Sequence, residues 1–309
     1  MPPTTTMASP SRTATLITNL NNVLARVSSA ASTFSQAPTS SSHLRRHRPA
    51  NKPVRLVAVS KLKPASDILA LYSNNHNNNS NPPNPSSSVT PSATHQVHFG
   101  ENYFQELLEK SRQLPAGIHW HFIGGLQSNK CVSLARDVRG LWAVESVDTE
   151  KKAKLLDKGW GERDTTTPEE KERKLRIFVQ VNTSGEENKS GVEPALTASL
   201  CRYIRDQCPR LHLQGLMTIG AIARSKQTSA TVENEDFISL IETRQSVIEE
   251  LQMTEQEADE FELSMGMSSD FEGAIALGSD QVRVGTTIFG ERPPKATAVA
   301  AATTGTSRA

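Results

Sequence analysis

The chain has 309 residues, with 34 Lys and Arg against 33 Asp and Glu, so its formal net charge is +1 although 22% of residues are charged. That balance excludes a protein that holds nucleic acid or an acidic membrane surface through bulk charge. Hydrophobic residues make up 36% and aromatic residues 5%, a lean composition expected where polar low-complexity stretches dilute a globular core.

Residues 1–11 are rich in Pro, Thr and Ser and read as disordered, after which Ile17, Leu20, Val23, Leu24 and Val27 recur at helical spacing. The spacing predicts a helix over 12–33, followed by a polar linker over 35–52. Val54–Lys61 is a short β-branched apolar run, and Lys63-Pro64 behind it marks a turn into a helix at Ile68–Leu71. Further strand-like runs follow at 97–100, 120–123, 140–144, 175–181, 211–217, 261–265 and 282–288, with helix-compatible segments in most of the gaps. Continuous apolar strands alternating with helices belong to a parallel sheet covered on both faces. Eight such units over about 240 residues predict an α/β fold, a single-domain TIM (β/α)8 barrel over 12–292 that includes the N-terminal helix. The Asn/Pro/Ser-rich stretch 74–94 and the polar stretch 161–174 read as surface insertions, and 293–309 as a disordered Ala/Thr tail.

Cys131, Cys201 and Cys208 form an odd set without a Cys-x-x-Cys pair, which argues against a disulfide framework or a thiolate metal site and for a reducing interior. Cys201 and Cys208 lie two turns apart on one helix face, too far for a bridge, and are expected to be packed. No window approaches 18 consecutive apolar residues and the N-terminus lacks a secretory apolar core, so a cytoplasmic protein without a membrane span is expected. The absence of Asp and Glu before Asp67, with Ser, Thr and Arg in their place, also fits a mitochondrial transit peptide.

In a TIM barrel the chemistry lies at the C-terminal ends of the strands. The first strand ends in Ser60-Lys61, an amine at the barrel mouth able to form a Schiff base with a carbonyl. The eighth ends in Arg283-Val-Gly285-Thr286-Thr287, which combines a guanidinium, a glycine open to close approach and hydroxyls, the ingredients of a phosphate cradle. The seventh ends in Ser264-Met265-Gly266-Met267-Ser268, where Ser268 could cap the next helix and turn its amides to the same anion. Glu101-Asn102, Gly124-Gly125, Glu145-Ser146, Asn182 and Thr218 stand at the other mouths, each readable as a loop cap. His119 and His121 share one strand face, but no third ligand is placed near them, so they read as structural and no metal is assigned. A mouth lysine opposite a phosphate cradle fits either a pyridoxal 5'-phosphate (PLP) aldimine or a Schiff-base aldolase acting on a sugar phosphate, and spacing leaves both open.

Leu56-Val-Ala-Val-Ser-Lys61, Phe99-Gly-Glu-Asn-Tyr103 with Gln105-Glu106, Trp120-His-Phe-Ile-Gly-Gly-Leu-Gln-Ser-Asn-Lys130, Val181-Asn-Thr-Ser-Gly-Glu186, Gly215-Leu-Met-Thr-Ile219 and Leu263–Asp270 running into Val282–Thr286 and Ile288-Phe-Gly290 occur in order. On these motifs residues 54–292 resemble the pyridoxal phosphate homeostasis proteins, related in fold to the barrel of alanine racemases. The resemblance implies that Lys61 holds PLP as an internal aldimine and that Arg283, Gly285 and Thr286 contact its phosphate. Ser264, Met265 and Ser268 would line the same pocket, with Asn102 against the ring. It also implies intracellular PLP homeostasis and delivery to apo-enzymes, and an isolated barrel fits a monomer. Racemases of related fold draw a second base, a tyrosine, from a further domain; Tyr72, Tyr103 and Tyr203 are not so placed. A non-enzymatic handler is therefore expected, with a PLP-dependent racemase or other PLP enzyme as the alternative.

Overall fold

In a computed structural model of the chain, the structure describes residues 6–36, 52–77, 96–164, 172–186, 189–221 and 234–291. Eight strands, β1 (Arg55–Val59), β2 (His98–Glu101), β3 (His119–Phe122), β4 (Leu141–Val147), β5 (Leu175–Gln180), β6 (Leu211–Met217), β7 (Glu262–Ser264) and β8 (Gln281–Val284), close in that order into one barrel. Every neighbouring pair is parallel, and β8 closes onto β1 from Arg55 opposite Gln281 to Ala58 opposite Val284. The expected (β/α)8 barrel is therefore the observed architecture.

The helices are α1 (Pro10–Gln36), α2 (Ala65–Asn77), α3 (Phe104–Gln113), α4 (Cys131–Asp137), α5 (Glu150–Gly161), α6 (Pro194–Gln207), α7 (Glu235–Glu250), α8 (Glu255–Glu260), α9 (Phe271–Ala276) and α10 (Thr286–Phe289). Local chemistry fixes several of their starts. Thr149 accepts from the Lys152 amide ahead of α5, Asn234 from the Asp236 amide ahead of α7, and Thr254 forms a capping box with Glu257 ahead of α8. The outward residues of the strands, such as Leu56, Ala58, Ile177, Val179, Leu263, Met265, Val282 and Val284, join the helices' inner faces in one apolar layer. Cys131, Cys201 and Cys208 are free and buried. Burial pushes the Cys131 and Cys208 thiols up to about 11 and Cys201 higher still, as inert packing residues require.

Several boundaries differ from expectation. The first helix starts at Pro10, inside the stretch read as disordered, because proline is well suited to a first helical position. The last strand stops at Val284, and Thr286–Phe289 turn into the short helix α10. The start of the 74–94 insertion belongs to α2, which runs to Asn77. Residues 1–5, the linker over 37–51, and 78–95, 165–171 and 292–309 lie outside the described residues. Among the described residues no helix is long and apolar enough to cross a membrane.

The helix α1 packs on α2, α9 and α10 through Leu16, Leu20, Val23 and Val27, all buried. Arg12 pairs with Asp67 at 2.6 Å and donates to the Phe289 carbonyl at 2.9 Å, while Asn19 donates to the Ile288 carbonyl at 3.1 Å. The N-terminal helix thus holds the turn that follows β8. Leu16 is fully buried, so Leu16→Ala is expected to cost about 2–5 kcal/mol, read as a lower urea midpoint with unchanged slope.

Candidate functional site

Strands β1, β7 and β8 meet at the barrel's C-terminal mouth around a cavity of about 380 Å³. Lys61, two residues beyond β1, lines it together with Asn102, Ser268, Arg283, Gly285 and Thr286, while Ile123, Ile219 and Met267 supply apolar wall. Six of the eight expected site residues are therefore gathered in one place. Gly266 makes this approach possible. Its φ of +95° lies where side chains are strained, and a Cβ there would stand 2.6 Å from Ala274 Cβ, so the β7–α9 turn tolerates only glycine. Ser268, presented by that turn, accepts from the Gly285 amide at 3.2 Å and ties the two cradle loops together.

The other two expected residues sit elsewhere. Ser264 is fully buried in the barrel below the cavity, and Met265, on the opposite face of the chain, packs in the apolar layer under the helices. Strand alternation separates them: residue 264 faces inward, so 265 must face outward. Ser264 acts on the cavity through Arg283, whose Nη1 donates to its Oγ at 2.6 Å while Nη2 donates to the Thr218 carbonyl at 2.6 Å. Burial pulls the Arg283 guanidinium below its ordinary range, with Glu145 and Asp270 acting in the opposite direction.

Beneath Arg283 the barrel interior is polar, where such barrels are usually filled by branched apolar side chains. Glu145, fully buried, accepts from His121 Nδ1 at 2.6 Å, from Gln281 Nε2 at 2.7 Å and from Ser264 Oγ at 2.7 Å. Burial alone would raise its carboxyl, but these donors and the Arg283 charge outweigh it and hold Glu145 low, hence ionised. His121 is held low by burial against Glu145's pull, so it is neutral, with Nδ1–H given to Glu145 and Nε2 accepting from His98 Nδ1 at 2.9 Å. Burial and the neighbouring His121 likewise depress His98, and push His119 down to about 4. Trp142 lies against this cluster, with Arg55 and Arg176 over its faces at 4.5 Å and 4.3 Å. His119 and His121 thus belong to the barrel's packing, and no group of three candidate ligands is placed to hold a metal among the described residues.

Sequence reasoning missed Glu145 as a site residue by treating Glu145-Ser146 as a loop cap. The available signal was a lone acid inside the otherwise apolar run Leu141-Trp-Ala-Val-Glu-Ser-Val147, all seven residues of which are buried.

Apart from any ligand, the fold and the mouth define a (β/α)8 barrel with a lysine and a hydroxyl-glycine cradle around one cavity. Residues 88–293 match the family described as alanine racemase, N-terminal domain. A Caenorhabditis elegans pyridoxal phosphate homeostasis protein is 44% identical over 249 residues, 80% of this chain and 89% of the relative. A Schizosaccharomyces pombe protein of the same name is 42% identical over 240 residues, 78% of this chain and 85% of the relative. The structure of Synechococcus elongatus PipY with PLP bound superposes with a TM-score of 0.52 at 30% identity, covering 86% of this chain and all of PipY. The chain belongs to the pyridoxal phosphate homeostasis protein family, built on the alanine racemase N-terminal barrel.

Because three donors converge on Glu145, Glu145→Ala is expected to destabilise the protein by about 3–5 kcal/mol. A carboxyl depressed in the native state stabilises above its unfolded value and loses that contribution as pH falls through its native value. The stability gap between wild type and Glu145→Gln should therefore be constant around neutral pH and close only in acid, below the ordinary glutamate value of about 4.3, as measured by urea midpoints from neutral pH down into that acid range.

Proposed function

We propose that this chain holds PLP in the cavity at the barrel mouth and takes part in intracellular PLP homeostasis, passing the cofactor to apo-enzymes. The observation that carries the reading is the convergence of a lysine amine, a buried guanidinium and a hydroxyl-glycine cradle on one cavity. The residues present fit the group. A Cβ on Gly285 would lie 3.2 Å from the Val59 carbonyl oxygen, so its bareness leaves backbone open to a close oxyanion. Asn102 Oδ1 is buried at the wall without a hydrogen-bond partner, an acceptor in need of a donor.

When bound, PLP supplies an electrophilic aldehyde carbon. Lys61 is its covalent anchor, Ser268, Gly285 and Thr286 cradle the phosphate, and Arg283 supplies positive charge from the floor, held in place by Ser264 and Thr218. Ile123, Ile219 and Met267 give the cavity its apolar side. Met265 shapes the cradle only from behind, through the apolar layer.

A racemase needs a second acid or base across the cavity from the lysine. Among the described residues, Tyr103 is 52% exposed and does not line the cavity, nor do Tyr72 and Tyr203. The related proteins are named for cofactor homeostasis rather than for a reaction, and binding with delivery is the reading these features support. Delivery needs no second subunit at the mouth, in keeping with a monomer. The three buried thiols suit a reducing compartment, cytoplasmic or mitochondrial.

Purified protein loaded with PLP should show a visible absorbance band that borohydride removes, leaving a pyridoxyl group on the Lys61 peptide. Lys61→Ala should lack both; an unchanged band in that variant would defeat the assignment of Lys61. Ser268→Ala is expected to weaken PLP binding by about tenfold, the ~1.5 kcal/mol of one hydrogen bond to a charged group, by fluorescence titration.

A further inference from the structure

Lys61 leaves β1 on a short connection whose two flanking residues are both held from outside the barrel by one ion cluster. On the near side, Ser60 donates its hydroxyl to Glu101 Oε1 at 2.7 Å, and its carbonyl accepts from Lys110 Nζ at 2.9 Å. On the far side, the Leu62 amide donates to Glu106 Oε1 at 2.7 Å. Lys110 joins the two acids, at 2.6 Å from each. Leu62 has φ of 60°, the left-handed conformation that a leucine adopts only against strain. It therefore needs a partner that over-determines it.

We propose that Glu106, carried with Lys110 and Glu101 as a clamp on α3 and β2, is a positioning residue for Lys61. By fixing the left-handed turn at Leu62, the clamp sets where the Lys61 amine stands in the cavity. The inference rests on Lys61 being the covalent anchor for PLP. In that condensation the neutral amine adds to the aldehyde carbon, a C=N bond replaces C=O, and the aldehyde oxygen leaves as water with both amine protons. Such a step depends on the approach of the nitrogen to within bonding reach, which a loosened turn degrades, whereas the phosphate cradle on β7 and β8 does not involve α3. The clamp thus acts on covalent capture and not on ring or phosphate binding.

Spacing supports the assignment. Glu106 and Lys110 are four apart on α3 and so share a face, and that face is the one turned to β1. Glu101 is fully buried, while the Glu106 side chain is 20% exposed. Glu106 is therefore the member that can be changed with least risk to folding.

The test compares Glu106→Ala, which removes the acceptor of the Leu62 amide, with Glu106→Gln, which keeps one. Two probes are used: PLP itself, followed by its visible band, and pyridoxine 5'-phosphate, which has the ring and phosphate but no aldehyde. Glu106→Ala should reconstitute the band about tenfold more slowly and retain PLP about tenfold more weakly. Glu106→Gln should stay within about twofold of wild type, and neither should alter pyridoxine 5'-phosphate affinity. If Glu106→Ala does not fold, Glu106→Asp, which keeps the charge but shortens the reach, should show the same split between probes. Unchanged PLP capture in Glu106→Ala, or a parallel loss of both ligands, overturns the proposal. A Lys61→Ala protein that keeps the band overturns instead the reading on which it rests.

Discussion

A carboxylate at the centre of a closed barrel has to be satisfied by several strands at once, and Glu145 is that group here. His121 from β3, Ser264 from β7 and Gln281 from β8 all donate to it, so these strands and β4 are held in one relative register by a single charge. Leaving such a charge with a missing donor would carry the desolvation cost of a buried ion. The interior is therefore specified in a way that interchangeable apolar side chains would not achieve. The same network reaches the mouth, since Ser264 accepts from Arg283. The floor of the cavity is thus built from the barrel's own stabilising charge.

Around that floor, each side of the cavity is secured by an element distant in sequence. The short helix α10 that follows β8 is held by α1, through Arg12 and Asn19 bonded to the carbonyls of Phe289 and Ile288. The β7–α9 turn is tied to β8 by the Ser268–Gly285 hydrogen bond. The β1–α2 turn carrying Lys61 is gripped by Glu101, Glu106 and Lys110. Two of these three ties, from α1 and from the Glu101–Glu106–Lys110 cluster, come from residues that do not line the cavity.

The sequence alone determined the alternation of strand and helix, because continuous apolar runs bounded by turns reflect burial on both faces, a local property of each segment. It also placed Lys61 and Ser268 just past the ends of their runs, whereas Arg283, Gly285 and Thr286 fell inside a run read to 288 that the structure ends at Val284. What it could not assign was the direction of each side chain near the mouth. Ser264 and Met265 are adjacent, and only the barrel's register sends the first towards Arg283 and the second into the apolar layer. Nor could it pair Glu145 with His121 or Leu62 with Glu106, since these partners lie 24 and 44 positions apart. Such pairs exist only once closure brings separate strands and helices together, and it is tertiary packing, through the cost of an unsatisfied buried polar group, that selects them.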